Sequence, residues 1–315
     1  MRARTLAFAG LTLSKALYVV ALVSVLALAV FVAPAFYESA PAMPLGVIAL
    51  ATLSYLTSHL LRIARLALLS GDAGLSLRAL AKVHLFTSSV SLVTPFKLGE
   101  LYRVVELSLL TRSPVRGLIL VWLERVFDVV VILALLLLAS VFQPAAVASY
   151  LGVLAISLIF VLATLFFVVL MPDNLRRVGS YVIRRYDQSW TVGLLWLVAE
   201  LRGMTGEMSK MLRGRRLSLL VFTMMIWTFE GLSFGLLLSE ADGLLQPLAG
   251  LLSFLSLTTE GETLATFIQN RASGSVSQAL VGYVLATQGA LLIVGIVAGL
   301  AMARTRLTRS EIHKN

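Results

Sequence analysis

Between Thr94 and Arg103 the chain reads Thr-Pro-Phe-Lys-Leu-Gly-Glu-Leu-Tyr-Arg, and inside the next apolar run it reads Glu124-Arg125-Val126-Phe127-Asp128. Pro95 removes a backbone donor and restricts Thr94, so a helix should end there, while Gly99 lets the chain turn or another group come close. A helix restarting near Gly99 would aim its N-terminal amides at an anion. Lys97 and Arg103 add fixed positive charge, and arginine suits a phosphate because it can hold two oxygens at once. Lys97, Gly99, Glu100 and Arg103 therefore form a candidate seat for a lipid phosphate.

Glu124 and Asp128 are four residues apart and share one helix face, with Arg125 three residues before Asp128. Counted from Gly117, Glu124 lies about 10 Å and Asp128 about 16 Å along the helix. An unpaired Asp or Arg at mid-depth costs roughly 2.5–3.5 kcal/mol on insertion scales, so the three must face protein and find partners in Arg103, in Glu100 or in one another. Two readings stay open: an ionic clamp that only holds the broken segment, or a cluster that binds a charged head group or relays protons. Glu230, the charge in the middle of a later apolar run, is a proton carrier or substrate-site residue, or else a partner of Arg125. Glu260, Gly261 and Glu262 form a second candidate group, functional if enclosed and merely exposed if solvated. His59 and His84 lack metal-ligand spacing and read as packing or hydrogen-bonded residues; neither a metal nor a cofactor is expected.

The elements that must position these residues are apolar helices. Of 315 residues, 59% are hydrophobic and 13% charged, a balance for lipid rather than water as solvent. A spanning helix takes roughly 20 apolar residues. Suitable runs lie at Ala16–Ala35, Leu45–Leu69, Gly117–Phe142, Ala145–Met171, Leu217–Leu238 and Val276–Met302, which predicts six spans in an all-α, polytopic membrane protein. With no cysteine there is no disulfide frame and no thiolate chemistry. The net charge of +10 sits beside apolar runs rather than among aromatic residues on a soluble face, so nucleic acid is not an expected partner.

The loops Pro34–Met43, Gln143–Pro144 and Ser239–Pro247 hold no Lys or Arg, whereas the alternate loops and both tails hold residues such as Arg62, Arg65, Arg112, Arg116, Arg213 and Arg304. By the positive-inside rule both termini are cytoplasmic, in the cell membrane. Val83–Thr94 and Leu248–Leu257 are too short to cross and read as two re-entrant hairpins. Residues 1–142 and 145–303 then repeat the order span, span, re-entrant segment, span, entering from opposite faces, as in the inverted repeats of transporters. The single transmembrane domain, 1–315, includes a basic cytoplasmic connection at 172–216, either an interfacial amphipathic helix or a solvated linker.

At the charged segments the sequence resembles the transmembrane domain family of lysylphosphatidylglycerol synthases, flippase-like membrane proteins that also occur alone. Pro95, Gly99, Glu100, Arg103, Leu107, Glu124, Arg125 and Asp128 match the family's pattern in order and spacing. A usual glycine of the turn is replaced around Phe96 and Lys97. The second half departs further, with Thr258-Thr259-Glu260 in place of a Pro-Gly-rich turn and Thr287-Gln288 near an expected Arg. The resemblance implies movement of a lipid with a charged or glycosylated head group between leaflets. The soluble aminoacyl-transferase domain of some members has no counterpart in the sequence, so lipid synthesis is not implied.

The expected activity is thus lipid translocation without enzymatic turnover. The expected substrate is a phospholipid or polyprenyl-phosphate lipid, with protons or another ion as coupling partner; the oligomeric state is open. The rival readings are a membrane-embedded enzyme acting on a polyprenyl-phosphate lipid, with Glu100 or Asp128 as base, and a non-transporting assembly partner.

Overall fold

The computed structural model describes residues 16, 18–31, 33–34, 45–71, 74–94, 98–142, 151–185, 189–237 and 278–312. Among these the secondary structure is helical, with no strand. The helices are α1 (Tyr18–Phe31), α2 (Leu45–Leu69), α3 (Leu77–Val93), α4 (Leu98–Thr111), α5 (Pro114–Phe142), α6 (Leu151–Leu165), α7 (Met171–Arg185), α8 (Ser189–Leu212), α9 (Arg216–Leu237) and α10 (Gln278–Ile312). A π-helical turn, Phe166–Leu170, joins α6 to α7 without a break. Among the described residues four stretches are long and apolar enough to cross a membrane: Leu45–Leu69, Leu154–Ile183, Arg216–Leu236 and Leu285–Ala303. Helix α6 leaves Ile156, Ile159, Leu162 and Leu165 bare. A water-soluble chain rarely exposes so continuous an apolar face, whereas a membrane-embedded one needs it.

The chain forms two compact units, each drawn from separate stretches of sequence. The first comprises Met1–Leu60, Leu77–Arg103 and Thr228–Asn315. Within it small residues let α3 and α10 approach closely. Ser89 Oγ hydrogen-bonds to the Leu291 carbonyl at 2.9 Å, and a Cβ added to Gly295 would fall 3.1 Å from the Leu85 carbonyl oxygen. One turn on, a Cβ at Gly299 would fall 2.8 Å from the Phe86 ring, and the Gly299 carbonyl accepts from the Tyr18 hydroxyl. Lipid gives helices little reason to associate by hydrophobicity, so close packing at small residues and hydrogen bonds between helices carry the contact. Serines play the same part between α2 and α9: Ser54 Oγ donates to the Phe229 carbonyl at 2.8 Å, and Ser233 Oγ to the Ala51 carbonyl at 2.7 Å.

The sequence places a helix break at Pro95, and the described helices stop at Val93 and resume at Leu98. The two arms meet closely, because a Cβ on Gly99 would lie 2.6 Å from the Ser91 backbone nitrogen. Residues 95–97, Lys97 among them, lie outside the described residues, as does 238–277 with the second expected hairpin and Glu260, Gly261 and Glu262.

The second unit comprises Leu61–Ser76 and Val104–Trp227. Helix α4 ends on Arg112, whose φ of 55° turns the chain, and α5 follows with the Arg116 amide donating to Ser113 Oγ. Gly117 allows α5 to lie against α4, since a Cβ there would fall 2.6 Å from the Ser108 nitrogen. Helix α5 meets α6 through Trp122, stacked on Phe160 and Phe167 with ring centroids 6.2 Å apart, its indole N–H donating to Thr164 Oγ1. The basic connection read from sequence at 172–216 is mostly helix: α7 and α8 bury Leu175, Val182, Val198, Met208 and Met211.

Candidate functional site

In the second unit α5 carries Glu124 and Asp128 on a buried face, as their four-residue spacing requires. Arg65, near the end of α2, is their principal partner. Its Nη1 donates to Asp128 Oδ1 at 2.6 Å, its Nη2 to Asp128 Oδ2 at 3.2 Å, and Nη2 also lies 3.7 Å from Glu124 Oε1. Thr223 Oγ1 on α9 accepts a further hydrogen bond from Arg65 Nη1 at 2.9 Å and donates one of its own to the Leu219 carbonyl. A guanidinium has five donors in a plane, and here they meet two carboxylates and a hydroxyl.

Two more guanidinium groups reach the same carboxylate. Arg62 Nη1 and Arg125 Nη1 are each 3.5 Å from Asp128 Oδ2. Arg62 also lies over the Trp227 ring, 6.0 Å from its centroid. The three arginines differ in access: the Arg65 side chain is 1% exposed, Arg62 13% and Arg125 35%. Asp128 is thus gripped on one side and approached on the other.

In the first unit the break before α4 is tied by Thr94. Its Oγ1 donates to the Val90 carbonyl and accepts from the Gly99 amide at 2.9 Å, capping the new helix. Glu100 lies in the first turn of α4, where a carboxylate suits the positive end of the helix. The Gly99 amide, one of those expected to receive an anion, therefore already has an acceptor in Thr94. Arg103, in the second turn of α4, is buried with Nη2 2.9 Å from His84 Nδ1. His84 Nε2 lies 3.1 Å from His59 Nδ1, and the Tyr55 ring stands edge-on to His59. Tyr55 donates its hydroxyl proton to Gln288 Oε1 at 3.2 Å, so Gln288, at the place of the expected arginine, is a hydrogen-bond partner to α2. Glu230 accepts from Ser58 Oγ at 3.1 Å.

The structure brings Glu124, Arg125 and Asp128 together and sets Glu100 and Arg103 on one arm of the hairpin. Arg103 contacts His84 of α3. Sequence reasoning missed Arg62, Arg65, His59 and His84 as site residues. The two arginines were counted among the basic residues flanking the spans, yet both belong to α2, three residues apart on one face. A guanidinium pair inside an apolar helix was the available signal. The histidines had none, because their meeting depends on how α2 and α3 pack.

Other clefts in the second unit lie elsewhere: one of about 390 Å³ is lined by Ser113, Arg116, Glu200, Arg202, Glu207 and Lys210. Set against models of protein families, curated proteins and solved structures, the chain matches none of them.

Proposed function

We propose that the chain is a lipid translocator that moves a lipid with a charged or glycosylated head group between membrane leaflets. In this reading it is a stand-alone member of the transmembrane domain family of lysylphosphatidylglycerol synthases, with six spans, two re-entrant hairpins and an inverted repeat, and with both termini cytoplasmic.

One observation carries the reading. Three guanidinium groups, of Arg62, Arg65 and Arg125, surround the Asp128 carboxylate inside helices of an otherwise apolar chain, and two of them keep some access. Charges are costly in lipid and persist where they serve a path or a binding site. The clamp and the head-group readings then divide between residues. Arg65 and Asp128 hold the helices, while Arg125 and Arg62 are the phosphate-binding groups and Glu124 orients Arg65. Arg103, with Lys97 beside the break, is the docking group of the first unit; the prolyl break and the glycine at 99 keep that arm short and close to its partner. The acyl or prenyl tails stay in lipid.

The test is leaflet exchange of fluorescent phosphatidylglycerol in liposomes reconstituted with purified protein. Exchange above that of empty liposomes, lost in Arg125→Ala, supports the reading. Equal exchange by wild type and Arg125→Ala would sink it.

A further inference from the structure

His59, His84 and Arg103 form a buried line in the first unit, at 6%, 1% and 5% exposure, with contacts of 3.1 Å between the rings and 2.9 Å from His84 to the guanidinium. The positions of the protons follow from the fact that a guanidinium carries donors only. His84 Nδ1 must accept from Arg103, which leaves the His84 proton on Nε2. That proton is donated to His59 Nδ1, so the His59 proton sits on Nε2. While Arg103 keeps its place both rings are neutral and share one tautomer. A second proton on His84 would set N–H against N–H.

We infer that the His59–His84 pair is a proton-binding site that fills when Arg103 leaves, so that the proton is the ion coupled to lipid movement. The inference rests on Arg103 being a docking group for an anionic head group. An anion that draws the guanidinium away frees His84 Nδ1, and a proton given up by hydronium, which is left as water, adds there as a new N–H bond. Nothing is oxidised or reduced, and the anion and the departing guanidinium neutralise each other. Passing the Nε2 proton across 3.1 Å to His59 Nδ1 spreads the new charge over two rings. Histidine suits this task because its unperturbed charge changes between about pH 5 and pH 8.

The surroundings of the pair fit a polar but weakly charged site. On α2 the Tyr55 ring is 4.9 Å from His59, and Ser58, next in sequence, links to Glu230 of α9. On α4 Arg103 is the facing cation, the buried carboxylate of Glu106 follows three residues later on the same helix, and Tyr102 lies against Phe86. Helix α1 brings Tyr18 to Phe86, α3 carries Lys82 two residues before His84, and α10 has no charged residue from Leu285 to Met302.

The experiment uses the full chain in phosphatidylcholine nanodiscs with ¹⁵N-labelled histidine, of which there are three, including His313. In wild type the two buried rings should show one protonated and one bare nitrogen each across about pH 5 to 8. An imidazolium signal from either ring of wild type in that range overturns the inference without need of any variant. Arg103→Met should gain one imidazolium per chain on acidification, absent in Arg103→Met with His84→Gln; two neutral rings throughout in folded Arg103→Met also overturn it. Wild type moved into phosphatidylglycerol nanodiscs should acquire the Arg103→Met behaviour. Leaflet exchange by the same variant separates the two failures. If exchange needs Arg103 but the rings never titrate, the proton site fails alone; if the rings titrate but exchange is indifferent to Arg103, docking at that residue fails and the coupling with it.

Discussion

Arg65 and Asp128, 63 positions apart, hold each other through two hydrogen bonds of 2.6 and 3.2 Å, and both side chains are almost wholly out of contact with the surroundings. Breaking a buried pair by removing one partner typically costs about 3–5 kcal/mol, because the other charge is left without compensation. Arg65→Ala and Asp128→Ala should each destabilise the chain by that order, read as a lower thermal midpoint in detergent. Removing both charges together, as Arg65→Met with Asp128→Leu, should be much milder. A double variant as unstable as the sum of the singles would show that the two side chains do not act as a pair.

Arg125 should behave in the opposite way. Its side chain is 35% exposed and its contact with Asp128 is a long one of 3.5 Å, so Arg125→Ala should change stability by less than about 1 kcal/mol. Leaflet exchange should nevertheless fall by roughly 10- to 100-fold, the equivalent of losing one charge-assisted contact to phosphate. The comparison of melting and exchange on one preparation checks both halves.

The close approaches at Gly99 and Gly117 leave no room for a side chain, since an added Cβ would meet a serine Oγ and, behind it, backbone atoms that cannot swing away. Gly99→Ala and Gly117→Ala should each cost about 1–3 kcal/mol, as overpacked sites do. Gly46 on α2 has nothing within 4 Å of the same position, so Gly46→Ala is the matched control and should be neutral or slightly stabilising. Equal melting for all three variants would contradict the close packing of the hairpin arms.

Tyr55→Phe removes the hydrogen bond to Gln288 and should cost about 1 kcal/mol, while Gln288→Leu leaves the buried tyrosine hydroxyl short of that acceptor and should cost more, up to about 3 kcal/mol. Denaturation in a graded detergent series would rank the two.

Composition alone made the helices legible: Leu45–Leu69 has the same bounds in sequence and structure, because nothing but an apolar helix suits a run of that length. The face shared by Glu124 and Asp128 was legible for an equally local reason, the pitch of the helix. Their partner was not. Arg65 comes from another helix, and a count of basic residues by side of the membrane treats an interior arginine like one in a loop. The histidine pair was illegible for the same cause, since α2 supplies one ring and α3 the other. The boundary drawn at Pro172 also dissolves, because the π turn Phe166–Leu170 carries α6 into α7 without a break and Pro172 lies inside that continuous helix.

The seam between α3 and α10 has a consequence for how the chain is made. Ser89 and the Leu291 carbonyl that it meets are separated by 202 residues, so during synthesis α3 enters the membrane long before α10 leaves the ribosome. Throughout that interval the face of α3 that carries Phe86 and Ser89 lacks the glycine-lined helix it packs against. The first unit is therefore the last to close, and a chain stalled before α10 would present its serine face to quality control as an unfinished product.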